Sequence, residues 1–156
     1  MNLLYLIIVF FVSMVPLIEL RGAVPIGVGL GLPEWLTLLL AVIGNMIPVP
    51  FIFLFSRRLL EWGSKKKWRP LFRFCNWCLK KGNKAGKKLQ NSKSIYIGLL
   101  FFVGIPLPGT GAWTGTLAAS FLDLDFKKTI LAVNGGVLLA GIIMLAISFG
   151  FFSIIG

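Results

Sequence analysis

Two membrane-length apolar stretches of this chain are interrupted near their middle by prolines and glycines. The first break spans residues 16–25 (PLIELRGAVP), and the second spans residues 104–113 (GIPLPGTGAW). In a bilayer every backbone N–H and C=O needs a protein partner, so unwound backbone is tolerated at depth only where it is packed in protein or lines a polar cavity. A matching pair of breaks predicts a substrate site between two repeats.

The uncharged runs of the chain determine its fold class. They cover residues 1–18, 22–33, 35–56, 94–122 and 129–156. Because about 20 apolar residues suffice to cross a hydrocarbon core of roughly 30 Å, the sequence predicts an all-α integral membrane protein with a single membrane domain over residues 1–156. Runs 35–56 and 129–156 are predicted to be full crossings.

The two interrupted runs are predicted to enter and leave the membrane on the same side. The second break splits run 94–122 into arms of about 12 residues, near 18 Å each, which is too short to cross. Basic residues flank both ends of this run, which favours a re-entrant hairpin over one broken crossing helix. The resulting layout has hairpins at 3–31 and 95–122 and transmembrane helices at 34–56 and 126–152.

The two halves of the chain are expected to be inverted repeats, each a re-entrant helical hairpin followed by a transmembrane helix. The halves are residues 1–56 and 95–156. A shift of 89 residues places Gly22 on Gly111 and Asn45 on Asn134. Inverted repeats commonly hold their binding site near the bilayer midplane.

A basic loop at residues 57–94 is predicted to join the halves. Thirteen of the 16 Lys and Arg residues lie between 57 and 93, so this multi-pass protein should have the loop in the cytoplasm. We expect its partners to be anionic lipid headgroups, not nucleic acid. Cys75 and Cys78 lack the further ligands that zinc requires, and we expect them on the apolar side of an interfacial helix.

The first break carries two charged residues, Glu19 and Arg21. A charge within a membrane costs about 2.5–3.5 kcal/mol on insertion scales and usually marks a functional site. The guanidinium of Arg21 is a planar fork suited to phosphate or carboxylate, and Glu19 is the candidate for proton coupling. The alternative is a mutual ion pair with a structural role.

The second break carries no charge, but it precedes a half-helix. The free N–H groups and positive dipole at such a helix start can hold an anion, although glycines there also allow close helix packing. Asn45 and Asn134 are expected to hydrogen-bond to hairpin backbone or to line the substrate path. The candidate substrate-binding residues are Glu19, Arg21, Gly22, Asn45, Pro108, Gly109, Thr110, Gly111, Thr114 and Asn134.

Three long motifs carry a family resemblance. They are ELRGAVP at 19–25, GNMIPVPF at 44–51 and IPLPGTGAWTG at 105–115. In this order they resemble the bacterial and archaeal family labelled putative small multidrug export proteins, which implies a prokaryotic cytoplasmic membrane. That family is similar to the DedA/VTT superfamily, associated with opposed re-entrant hairpins and with moving lipid phosphates, including undecaprenyl phosphate. The resemblance implies an anion-binding role for Arg21 and a coupling role for Glu19.

The sequence offers no enzyme centre, since it has no histidine, no nucleotide-binding fingerprint and no cluster of carboxylates for a metal. We expect no enzyme activity, no metal and no cofactor. The leading hypothesis is a small transporter that translocates an anionic lipid such as undecaprenyl phosphate. The alternatives are export of small drugs or other solutes and a membrane scaffold without transport. The small size of the membrane domain predicts a homodimer.

Overall fold

The computed structural model describes residues 3–65, 70, 72, 73, 76, 77, 80–82, 84, 92–107 and 109–155, with side chains up to residue 151. The regular structure in this part of the chain is helical, which confirms the predicted all-α class. The main helices are α1 (Leu3–Met14), α2 (Glu19–Gly29), α3 (Glu34–Met46), α4 (Pro48–Gly63), α5 (Lys93–Gly104), α6 (Ala112–Phe121) and α7 (Phe126–Ile155).

Each half of the chain contains a pair of short antiparallel helices at the position of the predicted hairpin. A Cβ added at Gly27 of α2 would lie 3.0 Å from the Val9 side chain of α1. A Cβ at Gly115 of α6 would lie 2.7 Å from the Val103 side chain of α5. Both contacts join positions that are nearly equidistant from the break between them, so the chain folds back on itself in both places.

The first break is shorter than its sequence predicts. Only residues 15–18 are non-helical, because α2 already begins at Glu19 and contains Pro25. Proline lacks an N–H, so Pro25 leaves the carbonyl of Arg21 without its helical donor but does not end the helix. The second break agrees better with its prediction, since helical structure is absent from the described residues between Gly104 and Ala112.

Two helical segments are long and apolar enough to cross a membrane. One is α3 with α4, spanning Glu34–Gly63 across a break at Ile47, and the other spans Phe126–Phe151 of α7. The first segment extends past the predicted end at residue 56, where Arg57 forms an ion pair with Asp123. Pro48 follows the break and removes a helical donor.

The two long segments pack antiparallel. Phe53 contacts Phe126 with ring centroids 5.4 Å apart, while a Cβ at Gly141 would lie 3.1 Å from Val42. The facing residues therefore run in opposite orders along the two segments. This register brings Asn45 and Asn134, one from each half, to the same level of the pair.

The halves also interlock through the second helix of each hairpin. Helix α2 packs on α7, and α6 packs on α4. Leu20 of α2 lies against Gly141, and the hydroxyl groups of Ser56 and Ser120 lie 2.9 Å apart between α4 and α6. The buried apolar cluster contains residues of both halves, so the two halves share one core.

Glycines allow the long helices to approach the first helix of each hairpin. A Cβ at Gly44 would lie 2.6 Å from the backbone oxygen of Phe10, and a Cβ at Gly136 would lie 2.6 Å from that of Leu100. Real Cβ atoms do not come this close to a backbone oxygen, so both positions require the absence of a side chain. The same contact therefore occurs once in each half.

The described residues of the basic loop between 70 and 84 are helical. Gly82 lies against the backbone of Phe121 at the end of α6. The same turn holds Asp123, which forms an ion pair with Arg57 of α4. Cys75 and Cys78 lie outside the described residues, so their placement on an interfacial helix stays a prediction.

Candidate functional site

The two breaks meet in the structure through the carboxylate of Glu19. Its two oxygens accept hydrogen bonds from the backbone N–H groups of Trp113 at 3.0 Å and Ala112 at 3.3 Å. These donors belong to the first turn of α6 and have no partner within their own helix. The carboxylate also lies at the positive end of the helix dipole. The anion at this predicted anion-binding helix start is thus a residue of the protein itself.

Gly111 makes room for this contact. A Cβ at Gly111 would lie 2.2 Å from a carboxylate oxygen of Glu19, and its φ of +145° is one that glycine adopts readily. Glu19 is only 4% exposed, so its charge is held away from solvent by the helix start that binds it. The glycine predicted to contact a substrate here contacts a carboxylate instead.

Arg21 contacts the other part of the second break. Its guanidinium donates to the backbone oxygen of Leu107, to that of Ile105 at 3.3 Å and to the hydroxyl of Thr110 at 2.7 Å. The Thr110 hydroxyl lies 2.9 Å from both backbone oxygens and can donate its one hydrogen to either. The Nε of Arg21 is buried without a hydrogen-bond partner. Both backbone oxygens also accept from N–H groups within the break, that of Ile105 from Leu107 at 2.8 Å and that of Leu107 from Thr110 at 3.2 Å, so the guanidinium adds to a turn that is already hydrogen-bonded.

The charges of the first break thus serve mainly to hold the second break. Glu19 accepts from N–H groups at the start of α6, and Arg21 donates to oxygens of the unwound segment before it. The indole N–H of Trp113 adds a further link, donating to the backbone oxygen of Met14 at 3.2 Å. These contacts agree with the requirement that unwound backbone in a membrane be paired within the protein.

The backbone of the first break is strained. Leu17 and Glu19 have φ values of +76° and +50°, in the left-handed region that residues other than glycine seldom adopt. Each such residue costs about 1–3 kcal/mol and persists only where its surroundings enforce it. At Glu19 the enforcing contacts are the hydrogen bonds to α6. The strain therefore indicates that the position of this carboxylate matters.

A cavity of about 420 Å³ opens between the two breaks. Five of the predicted site residues line it: Glu19, Arg21, Gly109, Thr110 and Thr114. Most of the remaining lining is apolar and includes Leu117 of α6 and Met144 of α7. The cavity therefore combines an apolar wall with one acidic and one basic side chain at its edge.

Other predicted residues lie elsewhere. Gly22 packs against Ile18 of its own helical turn and does not line the cavity. Asn45 and Asn134 do not line it either, and Pro108 lies outside the described residues. The amide of Asn45 is fully buried, and neither its oxygen nor its nitrogen has a hydrogen-bond partner.

The predicted bond from Asn45 to hairpin backbone is therefore wrong. The arms that pack on α3 are α1 and α2, but no backbone group of either arm forms a hydrogen bond with the Asn45 amide. The side-chain oxygen of Asn134 is also buried without a partner. The shared level of the two amides and their missing partners are properties that the sequence did not indicate.

Leu117 and Met144 are lining residues that the sequence analysis missed. Both are ordinary apolar residues in apolar helices, and no local signal separates them from neighbours that face lipid. Within the described part of the chain, no group of three or more His, Cys, Asp or Glu residues lies close enough together to hold a metal ion. The residues that line the cavity offer a ligand hydrogen bonds, charge and apolar contact.

Comparison with known proteins gives one match. The model of the family described as "Putative small multi-drug export protein" matches residues 19–143, a range that contains both Glu19 and the whole second break. No curated protein and no solved structure matches the chain. Because the matched range covers well over half of the 156 residues, the chain belongs to this family of small multi-drug export proteins.

Proposed function

We propose that this protein is a small membrane transporter that exports small, largely apolar solutes through the cavity between its two breaks. The observation that carries the proposal is the cavity itself. Its volume of about 420 Å³ lies within the range of about 300–1,000 Å³ for sites that bind drug-sized molecules. Its wall is mostly apolar, with Glu19, Arg21 and Thr110 as the polar groups that orient a solute.

In the proposed transport movement, the two breaks that line the cavity separate from each other. The first break supplies one wall and the second break the other, and the contacts of Glu19 and Arg21 join them. Loss of these contacts would let the two hairpins separate and open the cavity to one side of the membrane. Movement of one repeat against another around a central site is a common transport mechanism.

Inverted repeats at residues 1–56 and 95–156 belong to this proposal. In each half, the second helix of the hairpin packs on the long segment of the other half, α2 on α7 and α6 on α4, and this symmetry supports the proposal. The matching close contacts of Gly44 and Gly136 support it as well. A pseudo-two-fold axis would then pass near the level shared by Asn45 and Asn134.

The proposed topology has both hairpins re-entering the membrane. Tyr96 at the start of α5 accepts a hydrogen bond from the backbone N–H of Asp125 at 3.2 Å, so the hairpin of α5 and α6 begins and ends at one end of the molecule. Lys127 and Lys128 lie at the same end. The positive-inside rule then assigns this end and loop 57–94 to the cytoplasm of a prokaryotic cell.

The experiment measures binding and efflux of a neutral apolar dye, N-phenyl-1-naphthylamine, with purified protein in proteoliposomes. A Leu117→Trp substitution fills the cavity and should abolish both signals. The matched control is Leu138→Trp on α7, where the side chain is 50% exposed and does not line the cavity. Transport by the Leu117→Trp variant at the wild-type rate, or no movement of the dye by the wild-type protein, would contradict the proposal.

Translocation of an anionic lipid such as undecaprenyl phosphate, by a mechanism similar to that of the DedA/VTT superfamily, is the second candidate. One observation favours it: Arg21 lines the cavity and its Nε is buried without a partner. If Arg21→Ala leaves binding of the phosphate lipid intact while Glu19→Gln abolishes uptake of an organic cation, the lipid hypothesis is wrong. Proton coupling through Glu19 and the homodimer stay predictions.

A further inference from the structure

A second cavity lies between α5 and α7, on the surface of the second half. Its volume is about 360 Å³, and it shares no lining residue with the cavity between the breaks. Lys93, Tyr96, Ile97 and Leu100 of α5 form one side, with Lys128 and Leu131 of α7 on the other. We call this cavity the lysine groove.

The lysine groove is polar at one end and apolar at the other. Helices α5 and α7 run parallel, since Tyr96 contacts Asp125 while Leu100 contacts Gly135 further along both helices. Lys93 and Lys128 therefore lie together at the end of the molecule assigned to the cytoplasm. From residue 93 to residue 100 the groove extends about 10 Å along α5, roughly a third of a hydrocarbon core.

The charge at the polar end is positive. The Lys128 ammonium lies 5.7 Å from the centre of the Tyr96 ring, a cation–π contact that keeps it at the mouth of the groove. The acid beside it is Asp125, whose carboxylate accepts a hydrogen bond from the backbone N–H of Lys128 at 2.9 Å and so caps α7. Lys93 adds a second ammonium from α5, which makes the mouth suited to an anion.

The apolar end is open to the bilayer. Ile97 is 55% exposed and Leu131 is 77% exposed. Because the long helices of this chain are apolar enough to span a membrane, such exposed apolar side chains are expected to contact lipid. A ligand that matches this surface needs a negative charge at the membrane interface and a hydrocarbon chain below it. An anionic phospholipid has both, and basic residues near the surface attract such headgroups.

We propose that the lysine groove binds one anionic phospholipid, with its phosphate between Lys93 and Lys128 and an acyl chain along Ile97, Leu100 and Leu131. This site is independent of the proposed transport function, because it uses different residues on a different face. It also differs from general attraction of lipids to the basic loop, because it requires two particular lysines on helices that meet at Tyr96.

The test is a titration of delipidated, purified protein with phosphatidylglycerol, followed by native mass spectrometry. Phosphatidylcholine with the same acyl chains and soluble glycerol phosphate are the comparison ligands. The groove variant is Lys93→Gln with Lys128→Gln. The matched control is Lys84→Gln with Lys127→Gln, which removes the same charge from described residues outside the groove.

Each lysine near the membrane surface should strengthen binding of an anionic lipid about fivefold. Loss of both lysines should therefore weaken binding of the first phosphatidylglycerol about 25-fold. The control variant should bind it as the wild-type protein does. Phosphatidylcholine should bind all variants equally, and millimolar glycerol phosphate should not displace the lipid. Equal weakening in both double variants would overturn the proposal, because binding would then depend on total charge. Displacement by glycerol phosphate would overturn the role of the acyl chain.

Discussion

Replacing Glu19 by glutamine tests whether a carboxylate anion holds the two breaks together. The substitution keeps the size of the side chain and one acceptor oxygen. It replaces the other oxygen by an NH2 group. That oxygen accepts a hydrogen bond from the backbone N–H of Trp113 or Ala112, and an NH2 group cannot do so. One buried donor of α6 then loses its partner, and the helix dipole loses its counter-charge.

The expected magnitude follows from these two losses. A buried donor left without a partner costs about 1–3 kcal/mol, and a carboxylate at a helix start contributes up to about 2 kcal/mol in partly buried geometry. Together they predict that separating the breaks becomes easier by about 1–5 kcal/mol. Since 1.4 kcal/mol is a factor of ten, the open population should rise by a factor of about 5 to 4,000.

Amide hydrogen exchange reports this opening directly. The N–H groups of Ala112 and Trp113 have no partner within α6, so their protection depends on Glu19. Exchange in a peptide containing both residues should accelerate by the factor given above in the Glu19→Gln variant. The control is Glu34→Gln, because Glu34 is also an acid in the first turn of a helix but is exposed. Unchanged exchange after Glu19→Gln would refute the reasoning, because an anion would then not be what holds the helix start.

Three further substitutions probe neighbouring parts of the structure. Arg21→Lys should lower the free energy of unfolding by about 1–3 kcal/mol, because one ammonium cannot replace a planar guanidinium that donates to three acceptors. An unchanged melting temperature would contradict this prediction. Gly44→Ala should destabilise the protein by about 1–3 kcal/mol through overpacking, whereas Gly98→Ala, where a Cβ meets nothing within 4 Å, should not. In a background without the native cysteines, Asp123→Cys should react with an impermeant thiol reagent only from the cytoplasmic side, and labelling from outside would overturn the proposed topology.

Much of the fold was predictable because apolar length and proline position are local properties of the sequence. The runs at 35–56 and 129–156 predict the long helices, and the second break predicts the gap between α5 and α6. The end of α4 was not predictable from charge, because Arg57 finds a partner in Asp123, which is distant in sequence. A charge ends an apolar run, but it does not end a helix.

The candidate site was predictable only as two separate halves. Glu19 is an acid in an apolar segment, and the glycines before Ala112 predict a helix start able to bind an anion. Their contact joins residues that are 93 positions apart, and it depends on how the two hairpins pack. Asn45 shows the converse error, because its polarity suggested a hydrogen bond that packing does not provide. Local sequence therefore indicates which groups need partners but not which partners they find.

The two candidate substrates place different demands on the contacts between the breaks. An anion that binds Arg21 has to displace neutral acceptors, the backbone oxygens of Ile105 and Leu107 and the hydroxyl of Thr110, while Glu19 keeps its place on α6. A cation that binds Glu19 has to compete with the N–H groups of a helix start and is repelled by Arg21. Because the charges of the two side chains offset each other, a largely apolar solute can enter without displacing either one. The cavity is therefore better suited to apolar solutes than to ions, and a charged substrate would have to displace these contacts.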